Sequence, residues 1–146
     1  MKIEVKIEND CKEPKVVILT DRMSDEVNEI IRKLSENIPQ MIAGFQDDLL
    51  KVLDQEEIFH LFTENGKVYA RTGDGMYSLR TRMYELEERL DKNTFVRISH
   101  SEIINLKKVR AFDLSLAGTI LVSLTNGTIT YVSRRYVPKI KQVLGI

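Results

Sequence analysis

Apolar and polar residues alternate from the first turn of the chain. In "KIEVKIE" (2–8), Ile3, Val5 and Ile7 stand on one side, with Lys2, Glu4, Lys6 and Glu8 on the other. A period of two is the pattern of a strand with one face buried. A second apolar run, "KVVILT" at 15–20, follows the break at Pro14 and predicts another strand. The period then lengthens: Val27, Ile30, Ile31, Leu34 and Ile38 fall on one helical face ending before Pro39. Ser24 is placed to cap that helix, and Asp25 and Glu26 suit the positive end of its dipole. "MIAGF" and "LLKVL", on either side of Gln46-Asp47-Asp48, predict a short hairpin.

From Glu57 the pattern becomes a β-meander. In "IFHLFTENGKVYART", Asn65-Gly66 separates two strand-like runs, the strongest local hairpin signal, because a type I′ turn needs positive φ at both central residues. "GDG" (73–75) predicts a turn before "MYSL", and "LAG" (116–118) another. "ILVSLTNGTITYVS" repeats the hairpin pattern with Asn126-Gly127. Two helices interrupt. With Thr81 as cap, Met83, Leu86 and Leu90 recur at helical spacing, and a last helix runs from Arg134 to Leu144 behind Ser133, with Tyr136, Val137, Ile140 and Leu144 inward. One stretch, "FVRISHSEIIN" (95–105), begins as a strand, breaks into Ser99-His100-Ser101-Glu102, and then resumes an apolar run. The elements make a mostly β (α+β) chain with three helices. We divide it into an N-terminal β-β-α extension (1–45) and a larger domain (46–146).

Composition narrows the compartment more than the chemistry. With 146 residues there is room for one domain with a real core, and Cys11 is the only cysteine, which excludes an internal disulfide and favours the reducing cytoplasm. No apolar run reaches the roughly 18 residues of a membrane helix. The formal net charge is zero, but it hides a gradient: residues 1–60 hold 8 Lys/Arg against 14 Asp/Glu, and residues 61–146 hold 14 against 8. From Lys92 onward nine basic residues meet two acidic ones, a distribution that steers an anionic partner to the carboxy-terminal part.

Catalysis finds no support. The two histidines, His60 and His100, are far apart in sequence, and no metal-ligand spacing, nucleophile elbow or phosphate loop is present, so we expect no enzyme, no metal and no cofactor. Asp47-Asp48 and Glu56-Glu57 are adjacent carboxylates, but neighbours on a strand would point to opposite faces, so they read as turn and edge solvation rather than an acid/base pair. His60, within "IFHLF", reads as a solvent-facing strand residue or a satisfied core position.

"YVSRRYVPKI" (131–140) is more informative. Arg134 and Arg135 occupy the first turn of the last helix, where cations oppose the dipole and an acidic residue would be the choice for stability. A helix start with free N–H groups favours anions, and two guanidiniums there suit phosphate or the O6/N7 edge of guanine. The Ser99–Glu102 knuckle offers short donors and acceptors for base edges or phosphates, with Lys107 and Lys108 following.

At these residues the chain resembles the LytTR DNA-binding domain of bacterial transcription regulators. The resemblance runs from about Glu57 to Val143 and rests on "EEIFHLFTENGKVYART", "YELEERL", "FVRISHSEIINLKKV" and "YVSRRYVPKIK". It implies an elongated stack of antiparallel β-sheets with short helices, whose loops enter successive major grooves of a direct-repeat promoter site. It places DNA contacts at Lys67 beside Asn65-Gly66, at Ser99 and His100, and at Arg134 and Arg135. Lys107, Lys108, Arg110 and Lys139 are then expected on phosphates. This chain departs from the family pattern in carrying Ser99 where a histidine is usual, His100 where a basic residue is usual, and Phe62 where a glutamate is common. The extension of 1–45 is too short for a receiver domain, so the chain resembles stand-alone members, for which a membrane-protein antagonist is an implied partner. The acidic front is open to three readings, a homodimer surface, a docking surface for that antagonist, or a shield for the basic end. The other open reading is a protein-interaction module whose basic C-terminal end docks an acidic protein.

Overall fold

The computed structural model describes residues 1–35 and 41–146. It divides into two units, residues 1–38 and 39–146. In the first, only the helix of the expected β-β-α pattern forms. This is α1 (Asp25–Ser35), and Ser24 caps it as its composition suggests: the Val27 amide donates to Ser24 Oγ at 3.3 Å. Ile38, assigned to the same face, lies outside the described residues. Residues 2–8 and 15–20 carry no strand. The alternation of 2–8 and the apolar run of 15–20 are there, but a strand needs a partner edge, and Ile3, Val5, Ile7 and Leu19 are each more than 80% exposed instead.

The described residues of the second unit form ten strands and two α-helices. A seven-stranded antiparallel sheet comprises β1 (Ile42–Gln46), β2 (Leu49–Leu53), β3 (Ile58–Glu64), β4 (Lys67–Thr72), β5 (Gly75–Leu79), β6 (Phe95–Ser99) and β7 (Glu102–Asn105), ordered β2-β1-β5-β4-β3-β7-β6. A three-stranded sheet, ordered β10-β9-β8, comprises β8 (Val109–Asp113), β9 (Ile120–Leu124) and β10 (Ile129–Val132). Helix α2 (Met83–Arg89) joins β5 to β6, and α3 (Val137–Leu144) closes the chain. The expected hairpin around Asp47 is β1–β2, with Asp47 itself at positive φ.

Burial follows from two faces of one sheet. On one side Ile42, Leu53, Leu61, Ala70, Tyr77 and Ile103 pack with Met83, Leu86 and Leu90 around α2. On the other, Val96, Ile98 and Ile104 pack against Ile120, Val122, Leu124 and Val132 of the three-stranded sheet and Ile140 of α3. The sheet is thus apolar on both faces at β6 and β7, which is why that segment reads as continuous apolar residues on either side of its polar knuckle. Close approach also selects Gly44: a Cβ there would lie 2.8 Å from both Leu53 Cδ1 and Tyr77 Cβ. The edge strand β2 is held by Lys51, whose Nζ lies 2.8 Å from Asp74 Oδ2. Hydrogen bonds from Lys51 and Thr72 hold the Asp74 carboxyl down at about 2, and the same Asp74 bond raises the Lys51 pKa.

Local details correct three expectations. Thr81 does not cap α2; the backbone carbonyl of Arg82 accepts its first bond, from the Leu86 amide, and the Arg82 side chain makes no cap bond. The last helix does not start at Arg134: Arg134–Tyr136 form a 3₁₀ turn, α3 begins at Val137, and Ser133 makes no side-chain cap. Pro138 explains the join, since proline is well placed in a first helical turn. The two Asn-Gly turns also differ. Asn65 (φ 53) and Gly66 (φ 77) are both left-handed, as a type I′ turn requires, whereas of Asn126-Gly127 only Gly127 (φ 90) is. There the Gly127 amide donates to the Leu124 carbonyl and the Leu124 amide to that of Thr128, a three-residue loop closed by the glycine. Among the described residues, no helix is long and apolar enough to cross a membrane.

Candidate nucleic-acid interface

The polar knuckle at 99–102 is the tip of the β6–β7 hairpin. Ser99 pairs with Glu102, so His100 and Ser101 form the turn, and His100 is exposed. The pairing skips Ile98, a bulge that leaves the Ile98 carbonyl free on the outer edge of β6. The Ser133 amide donates to it at 2.9 Å. That bond sets Arg134 and Arg135, both exposed, beside the base of the His100 hairpin.

The β3–β4 tip projects at the same end of the sheet. Phe62 is level with Glu102, and the Thr63 amide donates to the Ser101 carbonyl at 2.9 Å, so Asn65, Gly66 and exposed Lys67 extend alongside Ser99–Ser101. Three sequence-selected groups therefore converge: Lys67, Ser99 with His100, and Arg134 with Arg135. None of the ion pairs among the described residues engages Lys67, His100, Arg134 or Arg135. Arg134 stacks toward Gly118, whose ideal Cβ would lie 3.3 Å from the guanidinium Nε.

Lys107 and Lys108 are not brought to this end. They follow β7, whose last residue Asn105 pairs with Phe95 at the opposite end of the hairpin. Asn105 is buried there with both polar atoms partnered: its Nδ2 donates to the Ile58 carbonyl and its Oδ1 accepts from the Lys107 amide, both at 2.9 Å. Lys107 and Arg110 are exposed, whereas Lys108 is half-buried with its Nζ 5.1 Å from the Phe59 ring centre. Lys139, in α3, lies 3.8 Å from Glu87.

Side chains that sequence reasoning did not select as contacts hold the tip in place. Arg97 has a side chain only 12% exposed and donates to the carbonyls of Ser99 (3.1 Å) and His100 (2.6 Å) and to Glu87 of α2 (2.9 Å). It clamps the turn from below, with Lys139 joined through the same glutamate. On the opposite face Glu102 bridges the two sheets: Oε2 lies 2.8 Å from His60 Nδ1, and Oε1 accepts from Thr130 Oγ1 at 2.6 Å. His60 is therefore a buried core residue, partnered at Nδ1 and, among the described residues, without a partner at Nε2. Its ring stacks on Phe62, which stacks on Tyr69. An open cleft of about 390 Å³ runs beside both tips, lined in part by Phe62, Glu64, Arg71, Ser101, Glu102 and Thr128. The only signal for the clamp in the sequence was an arginine placed two residues before the polar run. Partners 10 to 42 residues away gave none.

A β-rich unit with two hairpin tips and a basic turn at one end is the arrangement that the resemblance implied, and a scan of family models decides it. The model of the LytTr DNA-binding domain matches residues 48–145. The chain belongs to the LytTR family. LytTR is a family of DNA-binding domains, not of enzymes. The matched segment takes in every strand of the LytTR unit from β2 onward. Relatives of this LytTR chain include two Staphylococcus aureus proteins named as uncharacterized HTH-type transcriptional regulators. That of strain NCTC 8325 is 31% identical and that of strain MRSA252 30%, each alignment covering 100% of this chain and 99% of the relative. The LytTr DNA-binding domain of a Bacillus cereus protein shares the fold at a TM-score of 0.70 and 23% identity, covering 73% of this chain and 97% of that one. Among the described residues no two α-helices are joined by a short turn, so they form no helix-turn-helix.

Proposed function

We propose that this LytTR chain regulates bacterial transcription by docking its hairpin end into the major groove of promoter DNA. In this reading the β6–β7 tip and the Arg134-Arg135 turn read one groove face, with Arg135, Arg134, His100 and Lys67 on base edges. Phosphates would be met by Lys139, which sits beside the clamp, and by Lys107, Lys108 and Arg110 at the other end of β7, the two sets lying on either side of the groove. The direct-repeat site implied by the family resemblance is compatible with one unit on each repeat, about one helical turn (~10 bp) apart on the same DNA face.

The observation that carries the proposal is the Ser133–Ile98 backbone bond, which couples two exposed guanidiniums to an exposed histidine turn. Two exposed arginines outside any ion pair among the described residues, set just ahead of the start of α3, are explained by an anionic partner. A full-length S. aureus relative named as a transcriptional regulator supports the regulatory role. The test is selection of sites from a randomised duplex pool, followed by titration of Arg135→Ala on the recovered sequence. Loss of about 1–3 kcal/mol, with relaxed discrimination at one base pair, is expected. An unchanged affinity in a folded variant would remove Arg135 from the interface.

A further inference from the structure

The exposed N-terminal alternation has a property that the rest of the unit lacks: it is complementary to itself. Laid antiparallel on a second copy about Val5, residue 2 meets 8, 3 meets 7, and 4 meets 6. Lys2 then faces Glu8, Ile3 faces Ile7, Glu4 faces Lys6, and Val5 faces Val5. Every charge in the seven residues meets its opposite, and every apolar residue meets an apolar one. Parallel in-register pairing would instead set each charge against itself.

We propose that residues 2–8 form an intermolecular antiparallel ribbon with the same segment of a second copy, its two-fold axis passing through Val5. An interface of this kind is isologous, so each favourable pair occurs twice. Cross-strand pairs are the unit by which sheets are stabilised, and opposite charges directly across contribute where like charges oppose. The chain's own second segment cannot supply the same match. Residues 15–20 hold a single charge, Lys15, so at least three of Lys2, Glu4, Lys6 and Glu8 would be left opposite uncharged residues. The two roles are compatible, because a strand has two edges. "KVVILT" can line the outer edge on each copy, giving four strands, which a bare two-stranded ribbon needs for stability in water. Within a single chain Ile3, Val5 and Ile7 are 87%, 81% and 91% exposed and make no ladder, which is the state expected of a segment whose partner is another molecule.

Sedimentation equilibrium of the full chain without DNA tests this. A reversible dimer is expected. Lys6→Glu alone places Glu4 against glutamate twice and weakens the dimer about tenfold, and Glu4→Lys does the same with lysine. An equal mixture of the two variants restores parental affinity, because each then supplies what the other lacks. In a Cys11→Ser background, chains carrying Ile3→Cys should cross-link to chains carrying Ile7→Cys, and Ile3→Cys chains should not cross-link to one another. The cross-strand Cα spacing of roughly 4.5–5.5 Å lies within disulfide reach. A parent that stays monomeric, or a dimer indifferent to Lys6→Glu, overturns the proposal. Ile3-to-Ile3 cross-linking would likewise overturn it in favour of a parallel contact. Since no DNA is present, none of these results bears on the DNA-binding reading.

Discussion

Arg97 offers the sharpest separation between holding the loop proposed to read DNA and touching DNA. Replacing it by methionine keeps most of the buried stem and removes the guanidinium. Two carbonyls, of Ser99 and His100, then lose a cationic donor, and Glu87 loses its 2.9 Å partner. A hydrogen bond to a charged group contributes about 1.5–3 kcal/mol. The turn is exposed enough for water to replace part of both, and the half-exposed Glu87 pair adds less than about 1 kcal/mol. The net cost to folding should be about 1–3 kcal/mol, a fall of roughly 5–15 °C in Tm for a unit of this size. Binding should suffer as well, because Ser99 and His100 must then be ordered on the DNA. Fixing a backbone residue costs about 1–2 kcal/mol, and the loss is partial, so affinity should fall roughly 5- to 30-fold. The assay is fluorescence anisotropy on the selected site, well below the variant's Tm, repeated from low to high salt. Arg97 neutralises no phosphate in this account, so the dependence of log K on log salt keeps its slope. Unchanged affinity in the folded variant, or a slope reduced by about one, would refute the clamp and make Arg97 a direct contact.

Other outcomes follow from the same geometry. Lys107→Ala should weaken binding to all duplexes alike and lower the salt slope by about one. Lys108→Ala, whose Nζ rests on Phe59, should lower the slope too if its ammonium reaches a phosphate; equal slopes for Lys108→Ala and the parent would assign it to packing alone. Glu102→Ala leaves His60 buried without its Nδ1 partner and Thr130 without its acceptor, and should cost about 2–4 kcal/mol in urea denaturation. A change under 0.5 kcal/mol would show that the bridge between sheets is idle. Asp74 has its pKa held near 2, below the 3.8 of an unperturbed carboxyl, so its contribution to stability is complete above about pH 4 and is lost as pH falls toward 2. Urea midpoints of the parent and Asp74→Asn should therefore converge as pH drops from 5 to 2, and parallel curves would contradict the Lys51–Asp74 tie.

Short-range order was legible from the sequence alone. Asn65-Gly66 adopts two left-handed residues because the turn depends only on those two backbones, and Ser24 caps α1 because its partner is three residues away. The basic turn at Arg134-Arg135 stood out as two adjacent cations behind Ser133, but the expected cost of a cation in a first α-helical turn does not apply there, because α3 begins only at Val137 and the two arginines lie in a 3₁₀ turn before it. The resemblance to LytTR domains was visible for a different reason: several local signatures stood in a fixed order. Tertiary structure decided the rest. The same Asn-Gly dipeptide at 126–127 forms another turn because the pairing of β9 with β10 fixes where the loop closes. Val96 and Ile98 face one core while Phe95 faces the other, so no alternation of a single buried face could reveal the sheet between them. Lys107 and Lys108, six and seven residues from Ser101, end at the far end of β7, because an extended strand turns nearness in sequence into distance. Arg97 and Glu102 look like ordinary surface charges until the chain folds. Their partners lie on other strands, on α2 and on the second sheet, and only long-range contact takes those charges out of water and fixes them on the hairpin tip.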